Sequence, residues 1–425
     1  MIEGIILTAL LLLLPTQLGR HFWPAEAYLF GLKIDYLSPT LYLQDLLFLP
    51  LLFFLVKKNW KNFFSGKKHL ILSGLYVLFV LTNIGFSPTP PVAFFSWLRL
   101  TELLLFGVYV SQNAIWLFSL LGRTLPLALI FEFFLSLAQV LGQSSVGGPL
   151  WLFGERAFTI FTPGIARGSW LGEVFLRPYG TFSHPNSLAG FTLVALILLF
   201  GKRKIGILDC LAIGLGLTLL LLTFSRTAWL AAFLLGMVFL FARFKAGLSH
   251  KLSFWHFPTL AITVSLPLLI YFFSRTTIDA SSFLVRWELA EFALEEIKRN
   301  PLFGLGASHF IISLSQNRPV WQWLYWLQPV HNILLLIGTE TGLVGLGVFI
   351  AFLFSSILRV IQFQISNLSA DRQDFKFQIL AALFAIIFTG LFDHYWLTLI
   401  QNQLLFALIL GLSWGITDNR NKEKW

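Results

Sequence analysis

The residues of this chain that can do chemistry lie in four short polar islands: RPYGTFSHPN from Arg177, SRTAWL from Ser225, NPLFGLG from Asn300 and PVHN ending at Asn332. His331, in the last island, can take a proton from a hydroxyl near neutral pH, because an ordinary imidazole titrates there. A histidine at the start of a helix can also simply cap it or bond a loop carbonyl. Arg226 lies between two apolar stretches with no acidic neighbour in sequence, so an anionic ligand or a distant carboxylate must compensate its charge. Arg286 opens a helical stretch, where a cation opposes the helix dipole and needs another reason to be present, such as an anion held at the helix start. Arg177 stands among Pro178, Gly180 and Pro185 in a turn-rich approach to an apolar run that Asn186 is placed to cap, as an anion-binding cation or as a plain interfacial one.

Other polar residues carry less. His184 and His309 suit turn and surface roles, and Glu340 and Asp393 suit pairing with an arginine better than moving a proton. NPLFGLG lacks the lysine of a phosphate-binding loop and reads as a tight structural turn. No histidine and acidic residue share a metal-ligand spacing, so the chemistry expected here uses no metal and no cofactor.

The elements that position these islands are apolar. Of the 425 residues, 57% are hydrophobic, 16% aromatic and only 12% charged, with mean hydropathy +0.78, which a water-soluble globule cannot bury. Apolar runs near membrane-crossing length recur about twelve times, from roughly 4–19 to 398–416, with the ninth at 257–273 and the tenth at 331–358. The expected fold is therefore all-α, a single polytopic transmembrane bundle over 1–425 embedded in a lipid bilayer. Its first run lacks a cationic start and reads as a retained helix. The single cysteine, Cys210, excludes intrachain disulfides and cysteine metal clusters.

A net charge of +10 does not mean nucleic acid, because the cations are scattered through short connections rather than gathered in a patch. With a cytoplasmic N-terminus, twelve of the fourteen lysines fall inside, leaving Lys33 and Lys298 outside, as the positive-inside rule expects. Many of the sixteen arginines fall outside instead, among them Arg177, Arg226, Arg286 and Arg318. A permanently charged planar fork on that face suits phosphate. The same topology makes 142–185 and about 274–330 the long outer loops and brings all four islands to the outer side. Within 274–330, Val285–Arg299 reads as an amphipathic helix with Trp287, Ala290, Leu294 and Ile297 as its apolar face, and Trp321–Trp326 as an interfacial anchor beyond it.

Taken in order, R-P-Y-G-T-F-S-H-P-N, F-S-R-T-A-W-L, N-P-L-F-G-L-G and H-N-I-L-L-L-I-G-T-E-T-G-L-V-G-L resemble the O-antigen ligase and O-antigen polymerase family over about residues 170–350. The resemblance implies an inverting glycosyltransferase of the bacterial cytoplasmic membrane, with its active site on the outer, periplasmic face. It would take a glycan from an undecaprenyl-diphosphate donor to a glycolipid, glycan or protein acceptor. Carried over by motif, His331 would be the base for the acceptor hydroxyl, while Arg226 and Arg286 would hold the donor diphosphate, with Arg177 as a helper. The competing reading is a transporter or flippase of lipid-linked sugars. It draws on Asp45, Glu102, Glu132 and Asp209, four acids in or near apolar runs.

Overall fold

Backbone amides inside a bilayer must be satisfied within the chain, so apolar runs of this length fold as helices. The computed structural model describes residues 1–63, 67–170, 172–202, 205–245, 280–318, 327–362 and 370–415. Its α-helices of eight residues or more, in chain order, are α1 (Ile2–Leu12), α2 (Leu43–Phe63), α3 (Lys67–Phe86), α4 (Pro90–Gln112), α5 (Ala114–Gly142), α6 (Pro185–Phe200), α7 (Ile207–Leu222), α8 (Arg226–Lys245), α9 (Ala280–Arg299), α10 (Phe310–Asn317), α11 (Ile333–Gln362), α12 (Ala370–Gly390) and α13 (Ile400–Gly415). Eleven of the twelve apolar runs coincide with helices; the run 257–273, like Trp321–Trp326 and Arg275, lies outside the described residues. Among the described residues, three helices, α4, α5 and α11, are long and apolar enough to cross a membrane on their own. The fold is not wholly helical, because three two-stranded antiparallel sheets stand in the connections: Gly19–His21 with Thr40–Tyr42, Tyr28–Leu29 with Leu32–Lys33, and Arg167–Trp170 with Glu173–Leu176.

The described residues fall into two compact units. The first lies within Met1–Leu120, Ala280–Phe363 and Gly390–Trp425. At its centre α13 buries 13 of its 16 residues and crosses α4. Small residues permit the close approach: a Cβ on Gly411 would lie 2.5 Å from the Gly107 carbonyl oxygen. By contrast α3 turns Leu70, Ile71, Leu75, Leu78 and Leu81 outward, an apolar exposed face that suits lipid rather than water.

The NPLFGLG turn packs into a break in α11. Gly342 there has φ +69°, outside helical space, and a Cβ on it would come within 2.2 Å of the Leu302 carbonyl oxygen. The break frees carbonyls that the turn satisfies: Leu305 N–H donates to Thr339 O at 2.9 Å and Gly306 N–H to Glu340 O at 3.0 Å. In return, Leu343 N–H donates to Pro301 O at 2.7 Å. Asn83 on α3 fastens the junction, donating to Phe303 O and Glu340 O at 2.8 and 2.9 Å and accepting from Trp97 Nε1 at 2.7 Å. This is the structural turn expected from the sequence, docked on a broken helix rather than exposed. Glu340 differs from expectation: among the described residues it pairs with no arginine, and its carboxylate faces the first N–H of α10, that of Phe310, at 3.5 Å.

Helix α9 presents a different face from the one the sequence suggests. Val285, Leu289, Phe292, Ala293 and Glu296 are the buried residues, and they pack against α10 and α11. Trp287 and Leu294, expected inside, are 63% and 49% exposed. The apolar residues of this helix run nearly all the way around it, so periodicity alone selects no single face. Glu296 tolerates burial because Arg299, one turn on, donates to it at 2.7 Å.

The second unit lies within Leu121–Asp279 and Gln364–Thr389. Here α6 is central, with 14 of 16 residues buried. The RPYGTFSHPN segment is held by α5: Gln139 Oε1 accepts from the N–H groups of Tyr179 and Gly180 at 3.0 and 2.8 Å, and Glu132 accepts from Thr181 N and Oγ1 at 3.1 and 2.6 Å. At the other end of α6, Lys202 pairs with Asp209 at 2.6 Å.

Candidate functional site: a histidine cluster and two arginine turns

In the first unit, α11 begins just after His331, and its capping is done by the next residue. Asn332 Oδ1 accepts from the N–H groups of Leu334 and Leu335 at 2.9 and 3.0 Å. The same side chain donates to Leu391 O at 3.0 Å, tying the helix start to the short connection between α12 and α13. That connection supplies Asp393 and His394. The His331 and His394 rings lie 5.2 Å apart at 66°, and one donor atom from each of His331, Asp393 and His394 falls within 4.8 Å of the others. His394 is fixed on several sides: its N–H donates to Asp393 Oδ1 at 2.8 Å, its Nδ1 meets Thr398 Oγ1 at 2.8 Å, and Tyr36 stands edge-on at 5.6 Å.

Burial holds the His394 imidazole below its ordinary pKa, and the charge of Arg286 pushes the same way while Asp393 opposes both. Arg286 on α9 is thus electrically part of this cluster. Its neighbours Val285 and Leu289 pack in the same apolar cluster as Val330 and Leu336, on either side of His331. A half-buried imidazole beside a second, neutral imidazole and a carboxylate can accept a proton and stabilise the cation formed, and the arginine can hold an anion.

The second unit carries Arg177 and Arg226. Helices α7 and α8 are joined by a hairpin as tight as the sequence implies, closed by Trp229, whose Nε1 donates to Leu220 O at 2.8 Å. Arg226 is the first residue of α8 and is partly exposed. Arg177 is engaged as a brace: Nε donates to Thr223 O at 2.8 Å, next to that hairpin, and Nη2 to Asn186 Oδ1 at 2.6 Å. Asn186 therefore does not cap α6 as expected. His184 does, its Nδ1 accepting from Asn186 N–H at 3.1 Å.

Sequence reasoning named His331 and Arg286 as site residues but passed over His394 and Tyr36; for Asp393 it favoured an arginine partner over proton transfer. The signal available was FDHYW, two titratable residues in a very short connection 62 positions from His331, a separation no motif spacing spans.

Many apolar helices, three of the described ones long enough to cross a membrane, and a broken helix satisfied by its own chain mark an integral membrane protein of the polytopic helical class. Residues 211–350 match the family model described as O-antigen ligase, so the resemblance carried by the motifs holds over this segment. The match contains Arg226, Arg286 and His331; Arg177, Asp393 and His394 lie outside it. No curated protein matches the chain.

Proposed function

We propose that this protein is a glycosyltransferase of the O-antigen ligase or polysaccharide polymerase kind. It would move a glycan from an undecaprenyl-diphosphate-linked donor to a hydroxyl acceptor at the outer face of the cytoplasmic membrane. The observation that carries this reading is the cluster of His331, Asp393 and His394 with Arg286 acting on it, built around a segment that matches the ligase family. His331 takes the proton of the acceptor hydroxyl as its oxygen attacks the anomeric carbon from the side opposite the diphosphate. The bond from that carbon to the diphosphate oxygen breaks, the configuration inverts, and undecaprenyl diphosphate leaves. Arg286 holds diphosphate charge as it develops, a role in which one preorganised donor contributes roughly 3 kcal/mol, while for Arg226 the same role rests on its motif alone. Diphosphate is already a good leaving group, so this chemistry needs a base and cations but no nucleotide. Arg177, with two of its donors on Thr223 and Asn186, fits a positioning role behind the turn that bears Arg226 better than direct donor contact.

The transport reading loses its main support. Asp45 is paired with Arg99, Glu102 with the same arginine at 2.7 Å, Glu132 with Thr181, and Asp209 with Lys202. These acids brace helices, whereas a translocation path requires ionisable groups that change partners. The test is transfer by purified protein in EDTA, given an undecaprenyl-diphosphate-linked oligosaccharide with and without a lipid acceptor. Elongated donor without acceptor means a polymerase, and glycosylated acceptor means a ligase. Donor crossing reconstituted vesicles with no product in either arm contradicts the proposal.

A further inference from the structure

The geometry points to a cation site in the same cluster. We infer that His331, Asp393 and His394 bind a divalent ion of the Zn²⁺ class, and that the bound ion inhibits by occupying the imidazole that would take the proton. The inhibitory part rests on the glycosyltransferase reading; the binding part does not.

Two imidazoles and a carboxylate are the donor set that borderline metal ions prefer. Their donor atoms already lie within 4.8 Å of one another. A tetrahedral zinc with bonds of about 2.0–2.1 Å asks for separations of roughly 3.4 Å, a closure that small side-chain rotations supply. His394 is oriented for this, because with Nδ1 held by Thr398 Oγ1 at 2.8 Å its other nitrogen is the one left to face an ion, the usual outer support of a ligating histidine. Asp393 and His394 are adjacent in a buried connection that Asn332 ties to the start of α11, so the three ligands are held by one local structure. Arg286 sets a limit. Its charge acts on the cluster against that of Asp393, so binding is weaker than at a structural zinc site and reversible by chelator.

The experiment uses full-length, tag-free protein in detergent, stripped with EDTA and exchanged into chelator-free buffer. Zn²⁺ binding is read by calorimetry and by metal content after gel filtration, for wild type, Asp393→Asn and His394→Ala. One equivalent bound by wild type and lost in both variants, with transfer arrested by Zn²⁺ and restored by EDTA, is the expected result. No binding by wild type overturns the site, as does binding undiminished in both variants. Binding at these residues without arrest of transfer, or with stimulation by Zn²⁺, overturns the inhibition. If the EDTA-treated protein transfers no glycan at all, the glycosyltransferase reading fails while the binding arms still decide the site.

Discussion

Helices α6 and α11 both begin within two residues of a histidine, and these two histidines are used differently. At α6, His184 is spent on local structure: its Nδ1 accepts from Asn186 N–H, and the amide of Asn186 is taken up by Arg177. At α11 the capping belongs to Asn332, and the His331 ring stands instead against His394 and within reach of Asp393. SHPN and PVHN look alike as sequence, each a histidine within two residues of a proline and an asparagine before an apolar run. What separates them is which side chain of the motif satisfies the unpaired N–H groups of the helix, and that follows from neighbours far away in the chain. A histidine relieved of capping is available for chemistry.

That contrast can be broken most directly at His331. His331→Ala should reduce transfer by about 10²–10⁴-fold, the usual worth of a positioned base, with the folded protein intact because Asn332 still caps α11. Arg286→Ala should follow, costing on the order of 10²–10³-fold in rate and weakening donor binding as well, which a parallel binding measurement with labelled donor detects. Arg226→Ala is expected to behave the same way.

A third histidine sharpens the comparison. His309 stands at the start of α10, makes no capping bond with its side chain, and is buried with its pKa pushed down from 6.5 to about 4 by desolvation. A folded-state pKa below the unfolded one means that the native state binds fewer protons, so His309 stabilises above pH 6.5 and that stability drains away as pH falls toward 4. The loss amounts to roughly 3 kcal/mol. Melting curves across this window should show wild type losing stability more steeply than His309→Gln; parallel curves would remove the claim. The smallest effect belongs to the cap. His184→Ala should lower stability by about 1 kcal/mol while leaving transfer per folded molecule near wild type, the reverse of the His331 variant.

Much of this was legible in the sequence wherever the cause was local. Apolar runs gave helices, the tight α7–α8 hairpin followed from the shortness of Ser225-Arg226, and NPLFGLG read as a turn. Three things could not be read. The buried face of α9 was ambiguous, because Trp287 and Leu294 are as apolar as the Leu289 and Phe292 that are actually covered. The break at Gly342 is set by Leu302 closing on Gly342 and Leu305 bonding Thr339 across the fold, pairings with no trace in local spacing. Asp393 and His394 join His331 because Asn332, 59 residues before Leu391, ties their connection to the start of α11.

The most direct test of the account measures transfer and donor affinity in one preparation of wild type and of His331→Ala. The account predicts transfer reduced by at least about 10²-fold for the variant, with donor affinity within about threefold of wild type. Product formed at the wild-type rate by a well-folded His331→Ala protein would contradict it.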